Sequence, residues 1–350
     1  MAGGISGEGE RSEPGGGGLM TATGTRPLGR PAGTPTPGRR GAGGSGRGRR
    51  WSRHWFDNRA LPRLLVAPAL LLIFALIGYP VARTLWLSFH DAGLPALTGG
   101  GMDFVGLSNY TDIATDPQMR RVFVTTVVFG LACVVGTMVL GIAVALLLNR
   151  PFRGRALLGV LVLLPWAMPK VAAATVWRWL FHDQYGLVNW GLVSVGFSSF
   201  EGYAWFVSRV PAFTAIGVVV VWQSFPFVAL SLLAGLQSIA DDVVDAARID
   251  GAGPWQVTRH ITLPLLKPLL LVLVVISTIW DFKIFDQIYV MTQGGPARST
   301  EVLSITTWRE AFTQLDFGLA SALAMAMFAI LSVITVVYIR LVREDQGLSR

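Results

Sequence analysis

Six long apolar segments constrain what this chain can fold into. Charged residues make up only 14% of the chain, whereas soluble domains carry about 25%. Each segment, as a helix, is long enough to cross the hydrocarbon core of a bilayer, which requires about 20 residues. The pattern predicts an all-α integral membrane protein with six transmembrane helices. We place them near residues 64–89, 122–148, 157–181, 211–236, 265–290 and 319–341.

Cysteine and histidine usage excludes several kinds of chemistry. Cys133 is the only cysteine among the 350 residues, so the chain has no disulfide framework and no cysteine-cluster metal site. The four histidines are scattered, and no Ser–His or Cys–His pairing stands out on neighbouring spans. The sequence therefore indicates neither an enzyme nor a bound metal or cofactor.

The first 55 residues differ from the rest of the chain. Residues 1–50 contain 17 glycines together with a Pro/Thr run and arginine pairs. Such a segment buries too little apolar surface to offset its chain entropy, so we expect residues 1–55 to be disordered. Its arginines fit a cytoplasmic tail that orients the first helix, and we expect no nucleic-acid partner.

The distribution of Lys and Arg predicts the orientation. With a cytoplasmic N-terminus, the inside segments hold 20 basic residues and the outside loops hold five. Without the N-terminal tail, the inside segments still hold nine basic residues and the outside loops hold five. The positive-inside rule therefore places both termini in the cytoplasm. The chain is expected to be a multi-pass protein of a bacterial plasma membrane.

The connection between the fourth and fifth spans, residues 240–264, predicts a compact cytoplasmic knob. A short helix runs from residue 240 to residue 250, with acids in its first turn where the helix dipole favours them. Gly251 stands where a left-handed C-terminal cap is needed. Pro254 begins a second short helix, and the Leu263–Pro264 pair is expected to turn the chain back into the membrane.

This connection also resembles the EAA motif of ATP-binding-cassette (ABC) importer permeases. The family pattern is Glu-Ala-Ala, three residues, Gly, nine residues, Ile, one residue, Leu-Pro. Every fixed position matches except the first, where an aspartate replaces the glutamate. The matching residues are Asp245, Ala246, Ala247, Gly251, Ile261, Leu263 and Pro264.

Four further stretches narrow the resemblance to the sugar-importing, maltose-type branch of binding-protein-dependent permeases. The resemblance covers residues 60–345 and implies a type-1 importer permease fold whose core spans about 120–340. The stretches are residues 104–110 (FVGLSNY), 164–169 (LPWAMP), 177–181 (WRWLF) and 285–296 (FDQIYVMTQGGP).

The resemblance implies a mechanism and a set of partners. An extracytoplasmic solute-binding protein, in some cases lipid-anchored, delivers a sugar to a pair of related permeases in the lipid membrane. Two cytoplasmic ABC ATPase subunits close on ATP, and each receives the coupling helix of one permease. No phosphate-binding Gly-x4-Gly-Lys-Ser/Thr loop occurs in this sequence, so ATP is expected to bind the partner subunits.

Polar residues within the spans are candidates for the solute path, because charged side chains in a bilayer should face protein or water. Lys283 and Asp286 are three residues apart and could pair on one helical face. Arg83 and Arg178, near the outer ends of their spans, are expected to extend toward the headgroups. The candidate path residues are Asp281, Lys283, Phe285, Asp286, Tyr289 and Gln223, with Lys170 as a further intramembrane charge.

Two alternatives stay open at this point. The fifth-span charges either line the solute path or form an ion pair that fixes packing. A different class of protein, an ion- or proton-coupled secondary transporter, would use Asp281 and Asp286 as proton carriers. Such a carrier has no physical need for a coupling-helix motif, so the motif favours the importer subunit.

Overall fold

The computed structural model describes residues 60–345. From Pro62 onward the chain forms one compact unit. The predicted disordered tail, residues 1–55, lies outside the described residues.

The first span joins two α-helices through a π-helical turn at Phe74–Gly78. Helix α1 is Ala60–Ile73 and α2 is Tyr79–Leu87, with Pro80 in the first turn of α2. The apolar stretch Leu65–Leu87 buries almost none of its surface within this chain.

The core of the unit is a pair of long helices, α4 (Pro117–Leu148) and α8 (Arg209–Gln237). Helix α4 begins cleanly because Asp116 accepts a hydrogen bond from the N–H of Gln118 at 2.7 Å. The two helices approach closely at Gly141, where an added Cβ would lie 2.6 Å from Cγ1 of Val228. Glycine is required there because any side chain would push the two helices apart.

The third span is not the continuous helix that the apolar run 157–181 predicts. It consists of α5 (Arg155–Ala167) and α6 (Lys170–Leu180), which meet at an angle of 99°. Met168 and Pro169 between them are extended, with ψ of 137° and 131°. Pro169 has no N–H to continue the helix and disfavours helical backbone in the residue before it, so the apolar run breaks here. The described residues thus contain five long apolar helical spans and this bent pair, which together account for the six predicted crossings.

The fifth span follows the connection of residues 240–264, which we name the coupling loop after the motif that it resembles. This span is also interrupted. Helix α12 (Lys267–Phe282) ends at Phe282, and α13 (Asp286–Thr292) begins after three intervening residues. The sixth span is α15 (Phe317–Asp345).

Short elements connect the spans. Strands β1 (His90–Asp91) and β2 (Asp103–Phe104) pair antiparallel, with His90 opposite Phe104. The short helices between the first and fourth spans are α3 (Ser108–Thr115) and α7 (Leu187–Ser194), and those after the fourth span are α9 (Asp241–Ile249), α10 (Pro254–Val257), α11 (Leu263–Leu265) and α14 (Leu303–Phe312).

Two apolar clusters divide the core between the two ends of α4 and α8. The cluster nearer the coupling loop includes Val228, Leu232 and Leu273. The other joins α4, α6, α8, α13 and α14 around Val219, Ile288 and Ile305, each at most 1% exposed. The interruptions in the third and fifth spans therefore adjoin the second cluster.

Candidate functional site

The coupling loop has the geometry that its sequence predicts at Gly251. This residue follows α9 with φ of +84°. Its N–H donates to the Arg248 carbonyl, and the Ala252 N–H donates to the Ala247 carbonyl, both at 3.0 Å. These two bonds form a Schellman motif, which requires left-handed backbone that glycine adopts without strain. The prediction of a glycine-capped helix is confirmed.

The second helix of the loop also begins as predicted, at Pro254. Before it, the Gln256 side chain accepts a hydrogen bond from the Gly253 N–H at 2.8 Å. The predicted turn at Leu263–Pro264 is wrong. The chain stays helical through a π-helical stretch and α11, because proline is tolerated in the first turn of α11, and Leu266 alone separates α11 from α12.

The coupling loop presents apolar side chains to solvent on either side of Gly251. Ile249 is 86% exposed and Trp255 is 68% exposed, whereas Ala247 is buried against the rest of the chain. Asp245, in the first position of the motif, pairs with Arg248 at 3.0 Å on the exposed surface. An exposed ion pair contributes little to stability, so this carboxylate is available to a partner.

A cavity of about 940 Å³ lies between the coupling loop and the ends of α4 and α8. Its walls carry both signs of charge, from Arg150, Asp241, Asp245 and Arg248. The cavity separates part of the loop from the ends of α4 and α8, and the exposed ring of Trp255 lies on its wall.

The interruption of the fifth span separates residues that the sequence places on one helix. Lys283 is exposed and caps α12, whereas Asp286 starts α13. The ion pair that the sequence allows between them, as one of two alternatives, is absent from the described residues, because the three-residue spacing that would align them exists only within a continuous helix.

Aromatic rings line the outer part of the fifth span. Phe285 and Tyr289 stack with centroids 5.1 Å apart, and Trp308 of α14 meets the Tyr289 ring at 4.8 Å. Phe312 continues the row 6.0 Å from Trp308. Sequence reasoning missed Trp308 and Phe312. Their four-residue spacing indicates a shared helical face, but both lie between the predicted fifth and sixth spans.

Asp281 and Gln223 are buried, with exposures of 4% and 5%. Oδ2 of Asp281 has no hydrogen-bond donor among residues 60–345. Gln223 has both ends of its amide engaged, since Nε2 donates to the Met168 carbonyl at 2.9 Å and Oε1 accepts from Gln287 at 2.8 Å. Gln287 is a residue that sequence reasoning missed, and its own Oε1 lacks a donor among the described residues.

A second aromatic group lies on the N-terminal side of the two interruptions, in α5 and α12, and on α8. Phe227 of α8 lies 5.0 Å from Trp280 of α12 and 6.3 Å from Trp166 of α5, measured between ring centroids. Both tryptophans are more than a third exposed. These rings bring the third, fourth and fifth spans together, and the sequence analysis did not identify them.

The two arginines near the outer ends of spans differ in their contacts. Arg83 lies over the ring of Trp86, 4.3 Å from its centroid, as a cation–π contact. Nη1 of Arg178 donates to the Val290 carbonyl at 3.1 Å, so this side chain joins α6 to α13 rather than only extending toward the headgroups. Lys170 occupies the first position of α6.

A buried ionic cluster anchors the segment between α13 and α14. The carboxylate of Glu301 is fully buried and pairs with Arg298 at 2.8 Å and with Arg309. The Gln118 amide at the start of α4 lies against the same group. Burial, with Arg298 nearby, lowers the pKa of Arg309, and burial raises the pKa of the adjacent Glu310. The cluster ties this segment to α4 and α14.

The sequence matches a known family over most of the membrane-spanning part. A family model described as the binding-protein-dependent transport system inner membrane component matches residues 137–344. The sulfoquinovosyl glycerol transport system permease protein SmoG of Agrobacterium fabrum is 41% identical over 300 residues, 84% of this chain and 94% of that protein. The diacetylchitobiose uptake system permease protein DasB of Streptomyces coelicolor is 36% identical over 320 residues, 91% and 97% of the two chains.

Two further comparisons agree. The trehalose/maltose transport system permease protein MalF of Thermococcus litoralis is 36% identical over 282 residues, 80% of this chain and 92% of that protein. The fold matches a chain of a bacterial ABC transporter that imports the polysaccharide alginate, with a TM-score of 0.70 and 20% identity. That match covers 84% of this chain and 99% of the other. The chain therefore belongs to the binding-protein-dependent transport system inner membrane component family, as a multi-pass permease subunit of an ABC transporter in the plasma membrane.

Proposed function

We propose that the chain forms half of the translocation pathway of an ATP-driven importer for a sugar or oligosaccharide. The relatives named above are permeases for sulfoquinovosyl glycerol, diacetylchitobiose and trehalose/maltose. All of these solutes carry hydroxyl groups on sugar rings. The proposal extends that chemistry to this chain.

The observation that carries the proposal is the presence of a row of aromatic rings and of buried acceptors without donors near the interruption of the fifth span. Sugar rings present C–H faces that pack on aromatic side chains and hydroxyl groups that donate hydrogen bonds. Phe285, Tyr289 and Trp308 supply the aromatic faces. Asp281 and Gln287 supply acceptor oxygens that lack donors among the described residues. A buried acceptor without a donor costs about 1–3 kcal/mol, so a solute hydroxyl that reaches either oxygen would be stabilised there.

The path residues proposed from the sequence now divide into three groups. Asp281, Phe285 and Tyr289 remain proposed solute contacts, and Asp286 lies with them at the start of α13. Lys283 is exposed beside the interruption and has no assigned contact. Gln223 is removed from the solute contacts, because neither end of its amide is free.

Energy enters through a separate ATPase in this proposal. Ile249 and Trp255 are exposed on either side of the Gly251 cap, an arrangement suited to a shallow apolar groove on a partner. The motif residues Asp245, Ala246, Ala247, Gly251, Ile261, Leu263 and Pro264 shape this contact. The proposed complex contains a second homologous permease, two ATPase subunits and an extracytoplasmic binding protein, with both termini of this chain in the cytoplasm.

Purification of the assembled complex tests the proposed function. A tagged chain should co-purify with an ATPase and a second permease, and the isolated binding protein of the complex should carry a sugar, identified by mass spectrometry. An isolated, homogeneous complex in which the binding protein carries an amino acid or a metal chelate would contradict the sugar assignment. A functional chain purified without any ATPase would contradict the coupling assignment.

A further inference from the structure

Two membrane spans of this chain are interrupted near one another. The third span breaks between Ala167 and Lys170, and the fifth breaks between Phe282 and Asp286. An interrupted helix leaves carbonyl groups without their usual N–H donors. Away from water these carbonyls must find other donors inside the protein.

A chain of side-chain amides joins the two interruptions. Nε2 of Gln287, one residue into α13, donates to Oε1 of Gln223 on α8 at 2.8 Å. Nε2 of Gln223 then donates to the carbonyl of Met168, in the break of the third span, at 2.9 Å. Both glutamines are at least 95% buried.

We propose that Gln223 and Gln287 are positioning residues. Their amide bridge fixes the position of the break in the third span relative to the break in the fifth span. The proposal deepens the transport function and rests on it, because these breaks adjoin the proposed solute contacts. Neither glutamine is required to touch the solute. The bridge instead sets the angle between α5 and α6 and the angle between α12 and α13.

The central position of this bridge requires a side chain that both accepts and donates a hydrogen bond. Gln223 accepts a hydrogen bond with one end and donates with the other. An ionised carboxylate accepts but cannot donate, and leucine does neither. Replacing Gln223 by an apolar residue leaves the partly buried Met168 carbonyl and the buried Gln287 amide without these partners, and replacing Gln287 leaves Oε1 of Gln223 without its donor.

A second link shows that the outer halves of the two spans are joined at both ends. Arg178, in the last turn of α6, donates to the Val290 carbonyl near the end of α13. Ile288 of α13 and Ala174 of α6 lie in one buried cluster between these links. Because α6 and α13 are linked in this way, a substitution at Gln287, the fifth-span end of the amide bridge, should change the angle of the bend in the third span.

A distance measurement across the third-span break tests this inference without any solute. Spin labels are placed at Leu157→Cys on α5 and Val176→Cys on α6, both at least half exposed. The native cysteine is replaced (Cys133→Ala). The labelled chain is purified in its complete complex, and the label separation is measured by double electron–electron resonance. The test substitution is Gln287→Leu, which lies on the fifth span and alters no residue of α5 or α6.

The inference predicts one narrow distance for the wild-type bridge and a second distance in Gln287→Leu. Loss of one buried hydrogen bond should raise the population of the second bend about fivefold. Gln223→Leu should produce the same second distance, and the double variant should be no broader than Gln223→Leu alone, because all act through one bridge. The matched control is Thr137→Val, which removes a buried hydroxyl that has no partner among the described residues, and it should leave the distance unchanged.

An unchanged, narrow distance in both leucine variants would overturn the inference. If Gln287→Leu fails to accumulate, Gln287→Asn decides the question, since its amide is one methylene too short to close the bond. A distance in Gln287→Asn identical to wild type would also overturn the inference. Failure of the sugar assignment would leave these distances unaffected, so the two proposals are tested separately.

Discussion

The rings of Phe285 and Tyr289 stack at an interplanar angle of 17° although α13 begins only at Asp286. Phe285 is the non-helical N-cap residue, with φ of −129° and ψ of −56°. The stack therefore spans the point where the fifth span resumes its helix, and Trp308 closes it from α14. The interruption and the aromatic surface are parts of one structure.

Removing either ring of this stack should weaken solute affinity without loss of protein. Phe285→Ala and Tyr289→Ala are each expected to raise the half-saturation concentration for uptake several-fold, since an aromatic contact is worth about 1 kcal/mol. Uptake is measured over a range of sugar concentrations and normalised to folded complex. Phe328→Ala, at an exposed ring on α15, is the control and should transport normally. Normal half-saturation in both test variants would place the solute path elsewhere.

Substitution of Gly251 should separate ATP hydrolysis from transport. Gly251→Val forces a β-branched residue into left-handed backbone, which costs roughly 1–2 kcal/mol, and it changes the surface between Ile249 and Trp255. Gly251→Asn should be milder, because asparagine visits this backbone region. The ratio of solute transported to ATP hydrolysed should fall in Gly251→Val.

A matched control separates backbone strain from coupling. Gly154 has φ of +87° and, like Gly251, open space where a Cβ would stand. Gly154→Val therefore carries a similar backbone penalty in the connection between the second and third spans. It should lower thermal stability by a similar amount and keep the wild-type ratio. Equal ratios in Gly154→Val and Gly251→Val would contradict a specific role for Gly251.

The Glu301 cluster should be essential for accumulation of the protein. Glu301→Gln removes the negative charge between Arg298 and Arg309 and replaces two charged hydrogen-bonded pairs, one of them with the mostly buried Arg309, which costs about 1.5–3 kcal/mol. Far less folded complex should be recovered, as measured by fluorescence-detected size-exclusion chromatography. Asp112→Asn, at an exposed acid on α3, should accumulate normally. Full recovery of Glu301→Gln would show that the cluster does not hold the outer segment together.

Local sequence signals were sufficient for the helix boundaries at Gly251 and Pro254, and insufficient for the Leu263–Pro264 pair and for the interrupted spans. Gly251 and Pro254 act through their own backbone preferences, so their roles could be read from their positions. The break at Met168–Pro169 lies within a long apolar run. Hydropathy shows how long such a run is, but it does not show whether the helix bends within it. Pro169 was the available signal, because proline and the residue before it both disfavour continued helix.

The contacts between spans could not be predicted from one sequence. Gln223 looked like a polar path residue because its partners, Gln287 and the Met168 carbonyl, lie 64 and 55 residues away in the chain. Similarly, the sequence allows an ion pair between Lys283 and Asp286 only if the fifth span is one continuous helix. The chemistry of each side chain was evident, and its neighbour depended on tertiary packing.

Uptake into proteoliposomes that contain the complete complex tests the central claim most directly. The solute is added outside with its binding protein, a proton gradient that is acidic outside is imposed, and ATP is sealed inside or omitted. The proposed function predicts accumulation that requires internal ATP and persists when an uncoupler abolishes the proton gradient. Accumulation that continues without ATP and collapses with the uncoupler would contradict it, and would instead favour a proton-coupled carrier that uses Asp281 and Asp286.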